Sequence, residues 1–169
     1  MDEPVDKLPS FRMPPVIETV LGVQFAPLPD LTGGHIGWYW RDYLDRTWSR
    51  VIEVPCLQDQ FERFGQQTTW KFPSLQMSVS LPNRLQIIHA DDDRVIQVQN
   101  TRFLYNWRKR SDTYPRYENI YTEYARNLEL FRTFLKTANL GDISPNQWEI
   151  TYINHIPHGG LWKSPSDWP

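Results

Sequence analysis

From Arg94 to Gln99 the side chains alternate, with Ile96 and Val98 directed one way and Gln97 and Gln99 the other, as on a β-strand. The same period runs through Val16 to Phe25, where Ile17, Leu21, Val23 and Phe25 share one face; Pro27 and Pro29 end that strand. After Thr32, Gly33 and Gly34, the positions Ile36, Trp40, Tyr43, Leu44 and Val51 recur at helical spacing, which predicts an amphipathic helix from about His35 to Ile52. Alternation then returns. Thr68, Trp70 and Phe72 predict one strand, and Leu75, Met77 and Val79, set against Gln76, Ser78 and Ser80, predict another. Pro82 and Asn83 make a turn, Leu85 and Ile87 continue the pattern, and Asp91, Asp92 and Asp93 turn the chain into the Arg94 strand. Tyr117, Ile120, Tyr121, Tyr124, Leu128, Phe131, Phe134 and Leu135 form an apolar stripe of helical period, with Gly141 placed to stop the helix. A last strand, Trp148 to Ile156, directs Trp148, Ile150 and Tyr152 inward and Glu149, Thr151 and His155 outward.

This order implies an α+β fold: an antiparallel sheet with two helices on one face, resembling the arrangement of the TATA-box-binding protein. A helix-grip barrel is the alternative. Residues 1–15 are expected to be a loose arm, 16–157 one α+β domain, and 158–169 a tail or the start of a second unit. The second-unit reading comes from a weak internal similarity between Glu18–Phe25 and Glu149–Ile156, which would set Gly159 to Trp162 against the helix start near Gly33 to Trp38.

Composition narrows the function classes. A net charge of −2 gives no bulk electrostatic case for nucleic acid, so any such binding would be local. The single Cys56 leaves no internal disulfide, which suits a reducing cytoplasm, and the proline-rich, acidic start resembles neither a signal peptide nor a membrane span. Aromatic residues are 14% of the chain, enough to place some rings at a surface or interface.

The segments Pro14–Phe25, Gly37–Trp40, Gln97–Phe103, Asn106–Lys109, Tyr114–Tyr117 and Glu149–His155 together resemble a sporadically distributed bacterial family without an assigned activity. That resemblance carries over no catalytic residue. It implies a chain that continues past the Glu149 strand, and the family's scattered distribution implies genes of mobile or defence type, such as phage-response or toxin-antitoxin components.

Candidate chemistry is sparse. His155 and His158 lack a third metal ligand, the three aspartates lack the spread of a calcium loop, and residues 32–37 lack the Lys and Ser/Thr of a phosphate loop, so no metal or cofactor is expected. No catalytic signature surrounds Cys56. Glu18 and Glu149 would form an acid/base pair, and hence a hydrolase site, if their strands set them side by side. Arg102, Arg108, Lys109, Arg110 and Arg116, interleaved with Phe103, Tyr105, Trp107, Tyr114 and Tyr117, form an aromatic and basic tip that would suit a protein hot spot or stack single-stranded nucleic acid, with Arg102, Tyr105, Trp107, Arg108 and Lys109 as its leading contacts. The leading expectation is a non-enzymatic module that docks a protein partner or its own copy. It would use this tip together with a sheet face lined by Gln76, Ser78, Ser80, Gln86, Gln97 and Gln99.

Overall fold

The computed structural model describes residues 11, 13–61, 84–110, 114–160 and 162–167. The predicted strands over 68–80, with Gln76, Ser78 and Ser80, and most of the predicted arm lie outside the described residues. Six strands and two helices follow in the order β1 (Val16–Phe25), α1 (Gly33–Tyr43), β2 (Trp48–Val54), β3 (Arg84–His89), β4 (Arg94–Gln99), β5 (Arg102–Arg108), α2 (Tyr117–Thr137) and β6 (Pro145–Asn154). The sheet runs β2-β3-β4-β5-β1-β6, with every neighbouring pair antiparallel. It is open, with β2 and β6 as its edges, so the fold is α+β and not a closed barrel among the described residues.

Both helices pack on one face. Leu21, Val23 and Phe25 of β1, Ile96 and Val98 of β4, and Phe103 and Tyr105 of β5 meet Ile36 and Tyr39 of α1 and Ile120, Phe131 and Phe134 of α2 in a single core. The Phe103 and Phe131 rings stack at 5.2 Å, and Tyr39 meets Phe131 edge-on at 5.3 Å, locking sheet, α1 and α2 together. The apolar stripe over 117–137 thus does what its period predicts.

Helix α1 is shorter than its sequence suggests. It ends at Tyr43; Leu44 is extended, and Asp45 turns the chain by accepting the Thr47 backbone N–H at 2.8 Å. The β-branched residues Val51, Ile52 and Val54 then enter β2, and Trp48 is buried with its carbonyl accepting the Trp40 indole N–H at 2.6 Å. Helix α2 ends in a Schellman motif. Leu140 N–H reaches Leu135 O at 3.0 Å, Asn139 N–H reaches Lys136 O at 3.2 Å, and Asn139 takes the left-handed conformation at φ 54°. The stop expected of Gly141 is therefore made two residues earlier.

The segment from Arg94 to Arg110 is also not one strand ending in a tip. It folds back at Asn100 and Thr101, and β5 returns beside β4 with Gln99 opposite Arg102. Strands β1 and β6 pair with Val20 opposite Thr151, the two residues that the Glu18 and Glu149 alignment makes equivalent. The similar strands are thus related by a local two-fold axis. The likeness ends there: Gly159 N–H closes a turn onto Trp162 O at 2.9 Å, and the next regular element is a single 3-10 turn at Pro165–Asp167.

Phe131→Ala removes a ring with no solvent exposure from the centre of this core, and the expected loss is about 3–5 kcal/mol of unfolding free energy. Denaturant titration of the two proteins, followed by tryptophan fluorescence, measures it.

Candidate partner-binding surface

Opposite the helices, the sheet face is rich in amides, but it is not bare. A chain of side-chain hydrogen bonds crosses four strands: Gln86 Nε2 donates to Gln97 Oε1 (3.0 Å), Gln97 Nε2 to Asn106 Oδ1 (2.8 Å) and Asn106 Nδ2 to Glu18 Oε1 (2.7 Å). A second row begins at Gln99. Its amide accepts the Leu57 N–H and donates to the Leu57 carbonyl, both at 2.9 Å, while Arg102 donates to Gln24 Oε1 and to Gln58 O, the latter at 3.3 Å. Gln24 Oε1 also accepts the Gln60 N–H at 3.1 Å. Residues 57–60, which follow β2 in sequence, therefore lie across this face as a strap. Gln97 is 7% exposed, Gln99 2% and Arg102 4%, so the amides expected to greet a partner are occupied within the chain.

Strand alternation divides the aromatic and basic tip. On β5, Arg102, Asn106 and Arg108 lie with the amides, whereas Tyr105 and Trp107 lie on the helix side at 1% and 3% exposure. Trp107 meets Tyr114 at 5.2 Å. Arg108 is half-buried beside the Asp92 carbonyl; Tyr114, Arg116 and Tyr117 are also half-buried, while Lys109 and Arg110 are exposed. Rings and cations of β5 thus face opposite ways; beyond the strand, the Arg116 guanidinium lies 6.0 Å from the centre of the half-buried Tyr114 ring.

The carboxylates are separated by register. Glu18 stands opposite Ile153 and Glu149 opposite Gly22, so four residues of strand, about 13 Å, lie between them on the same face. Glu149 lies across Gly22, where an added Cβ would meet its Cγ at 2.8 Å, and reaches Arg102 Nη1 at 3.9 Å. An acid/base pair does not form. Burial pushes the Cys56 thiol up, against the opposing pull of Arg84, which disfavours the thiolate a nucleophile needs. Among the described residues, no group of three or more His, Cys, Asp or Glu is placed to hold a metal ion. None of the described helices is long and apolar enough to cross a membrane.

The exposed apolar surface lies elsewhere, on β6. Trp148 (58% exposed), Ile150 (56%) and Tyr152 (44%) project in a row from the helix side of an edge strand, and Tyr121 of α2 stands exposed beside them. Pairing Leu21 with Ile150 puts this row on the same side as the core, as the alternation predicted, but neither helix reaches over it. Between α2 and β6 runs a groove of about 450 Å³, floored by Leu21 and Leu128 and flanked by Trp148 and Ile150. The Tyr124 hydroxyl is buried at the groove without a hydrogen-bond partner among the described residues, and burial pushes its pKa up. Sequence reasoning placed Trp148, Ile150 and Tyr152 in the core because alternation tells which face a residue takes, not whether a helix covers it. The one available signal was the aromatic excess.

A charged cluster stabilises the β3–β4 hairpin. Arg94 Nε donates to Asp91 Oδ2 at 2.7 Å, and His89 Nδ1 lies 3.0 Å from Asp91 Oδ1. Burial raises the Asp91 pKa, but the Arg94 and His89 contacts outweigh it and leave the carboxyl below its ordinary value.

No family model, curated protein or solved structure matches this chain.

Two tests follow from this geometry. Gln99→Leu keeps the volume but strands the Leu57 N–H and carbonyl; the expected cost is about 1–3 kcal/mol, and hydrogen exchange at Leu57 should accelerate. Because the folded Asp91 pKa lies below the unfolded one, its stabilisation is present above the ordinary carboxylate range and fades as pH falls through the lowered value. Asp91→Asn should therefore shallow the acid limb of a stability-against-pH curve and leave its shape above pH 6 unaltered, as read by thermal melts.

Proposed function

We propose that this protein is a non-enzymatic binding module that docks another protein chain along β6 and the groove beside α2. The observation that carries the reading is the row Trp148, Ile150 and Tyr152, exposed on a strand with only one neighbour in the sheet among the described residues. An edge strand offers unpaired backbone N–H and C=O groups, which an incoming strand can satisfy while its side chains fill the adjoining pockets. Aromatic anchors beside a groove are also the side chains that dominate protein interfaces.

Three features support protein over nucleic acid or catalysis. Glu149 is the only charged residue of β6, and the groove beside it sets Arg132 next to Glu129, so the surface presents no concentration of cations for phosphate. Tyr105 and Trp107 are core rings, unavailable for base stacking. The two carboxylates are about 13 Å apart along the strands, too far to share a proton.

Trp148→Ala should weaken capture of the partner at least roughly tenfold, whereas Arg108→Ala and Lys109→Ala should leave it unchanged. Pull-down with immobilised protein at about 0.1 and 1 M salt, with and without nuclease, measures this; loss of binding on nuclease treatment or at high salt would sink the protein-docking reading.

A further inference from the structure

Along one side of α2, Tyr117, Tyr121, Tyr124, Leu128 and Arg132 follow one another at spacings of three and four residues, and together they line the groove toward β6. Its volume of about 450 Å³ lies within the range of small-molecule sites, about 300–1,000 Å³, and most of its lining is apolar or aromatic. Two polar atoms interrupt that lining. The Tyr124 hydroxyl, on a residue 5% exposed, and Arg132 Nε are both buried without a hydrogen-bond partner among the described residues. Burial raises the Tyr124 pKa, and Arg132 lies close enough to pull against that rise. Both groups are hydrogen-bond donors, and a buried donor left without an acceptor destabilises the protein that holds it.

We propose that this groove is a binding site for a small apolar monocarboxylate, whose carboxylate accepts from Arg132 and Tyr124 while its apolar body lies over Leu21 and Leu128 and against Trp148 and Ile150. The site stands whether or not a chain docks on β6. Donors without acceptors call for ligand oxygens, and the guanidinium keeps its charge at any working pH, so an ionised carboxylate satisfies it better than a neutral carbonyl. One negative charge is the limit. Glu129 and Glu149 also line the groove, and the nearest Arg102 nitrogen is 3.9 Å from Glu149, so a dicarboxylate or a phosphate ester would meet repulsion. Neither donor atom is open to water, and entry of the ligand therefore includes a turn of the long Arg132 side chain.

Isothermal titration calorimetry with decanoate tests the proposal, with decylamine as the same chain bearing the opposite charge; amide resonances of residues 121–132 and 147–151 locate the site. Decanoate is expected to saturate one site below millimolar concentration, and decylamine to bind at least about tenfold more weakly. Arg132→Gln should weaken decanoate binding at least about tenfold and Tyr124→Phe about threefold or more. Ala125→Phe, at an exposed position lining the groove, fills it without removing a donor and should abolish binding, whereas Arg126→Gln, at a separate pocket beside Asp45, should leave it unchanged. Tyr124→Phe also deletes an unsatisfied hydroxyl, so its melting temperature should hold or rise. A fall there would show the hydroxyl bonded within the chain and overturn the proposal. So would the absence of saturable binding, equal affinity for the two probes, or indifference to Arg132→Gln and Ala125→Phe. Decanoate binding without docking on β6 supports the site and ends the docking reading alone; docking without decanoate binding does the reverse.

Discussion

Strands β4 and β5 are buried on both faces, and that double burial is the constraint on which the rest of the molecule depends. A strand covered on one side only can leave its polar residues in water; here Gln97, Gln99, Arg102 and Asn106 are almost fully enclosed and must find partners inside the protein. They do so by bonding across the strands, from Gln86 through Gln97 and Asn106 to Glu18, and by gripping the backbone of residues 57–60. The ladder links β3, β4, β5 and β1 across the strands, alongside their backbone bonds. Slipping one strand by a residue would expose or strand every member of it, so the amides specify register on one face as Phe103, Tyr105 and Ile96 specify it on the other.

The periphery follows different rules. With its amides and central rings used internally, the sheet has its most exposed apolar side chains at the β6 end, where α2 lies over β1 and β5 and leaves the last strand open. The two edges differ in kind. Exposed Arg50, Ile52 and Glu53 give β2 the charged, mixed character of a protected edge, while β6 combines an unbroken regular run with Trp148, Ile150 and Tyr152. The buried, unpartnered Tyr124 hydroxyl belongs to the same groove. Structural economy at the centre and apolar surplus at one edge together make that edge the natural place for docking.

Local pattern determined a good deal of this. Strand β1 and helix α2 occur at the residues where alternation and helical period put them, because both periods reflect backbone geometry that needs no knowledge of neighbours. The two-sided character of the Arg94 strand was equally legible, as was the three-aspartate turn. Where local signals competed, the reading failed: Val51 fits both a helix face and a strand, and the Asp45 turn decided between them.

Which faces are covered was decided only by the tertiary structure. Nothing in Gln97 or Gln99 distinguishes an amide awaiting a partner from one that already holds Leu57, since the bond spans 42 positions of sequence. Likewise, period alone could not tell that Arg102 and Trp107 would be parted by the sheet they belong to, that Glu18 and Glu149 would share a face yet stand four residues apart, or that Trp148 would lie beyond the reach of α2. The sequence determines the side of the sheet each residue takes; register, the order of strands and the lateral position of a helix are properties of long-range packing, and they decide whether that side meets protein or water.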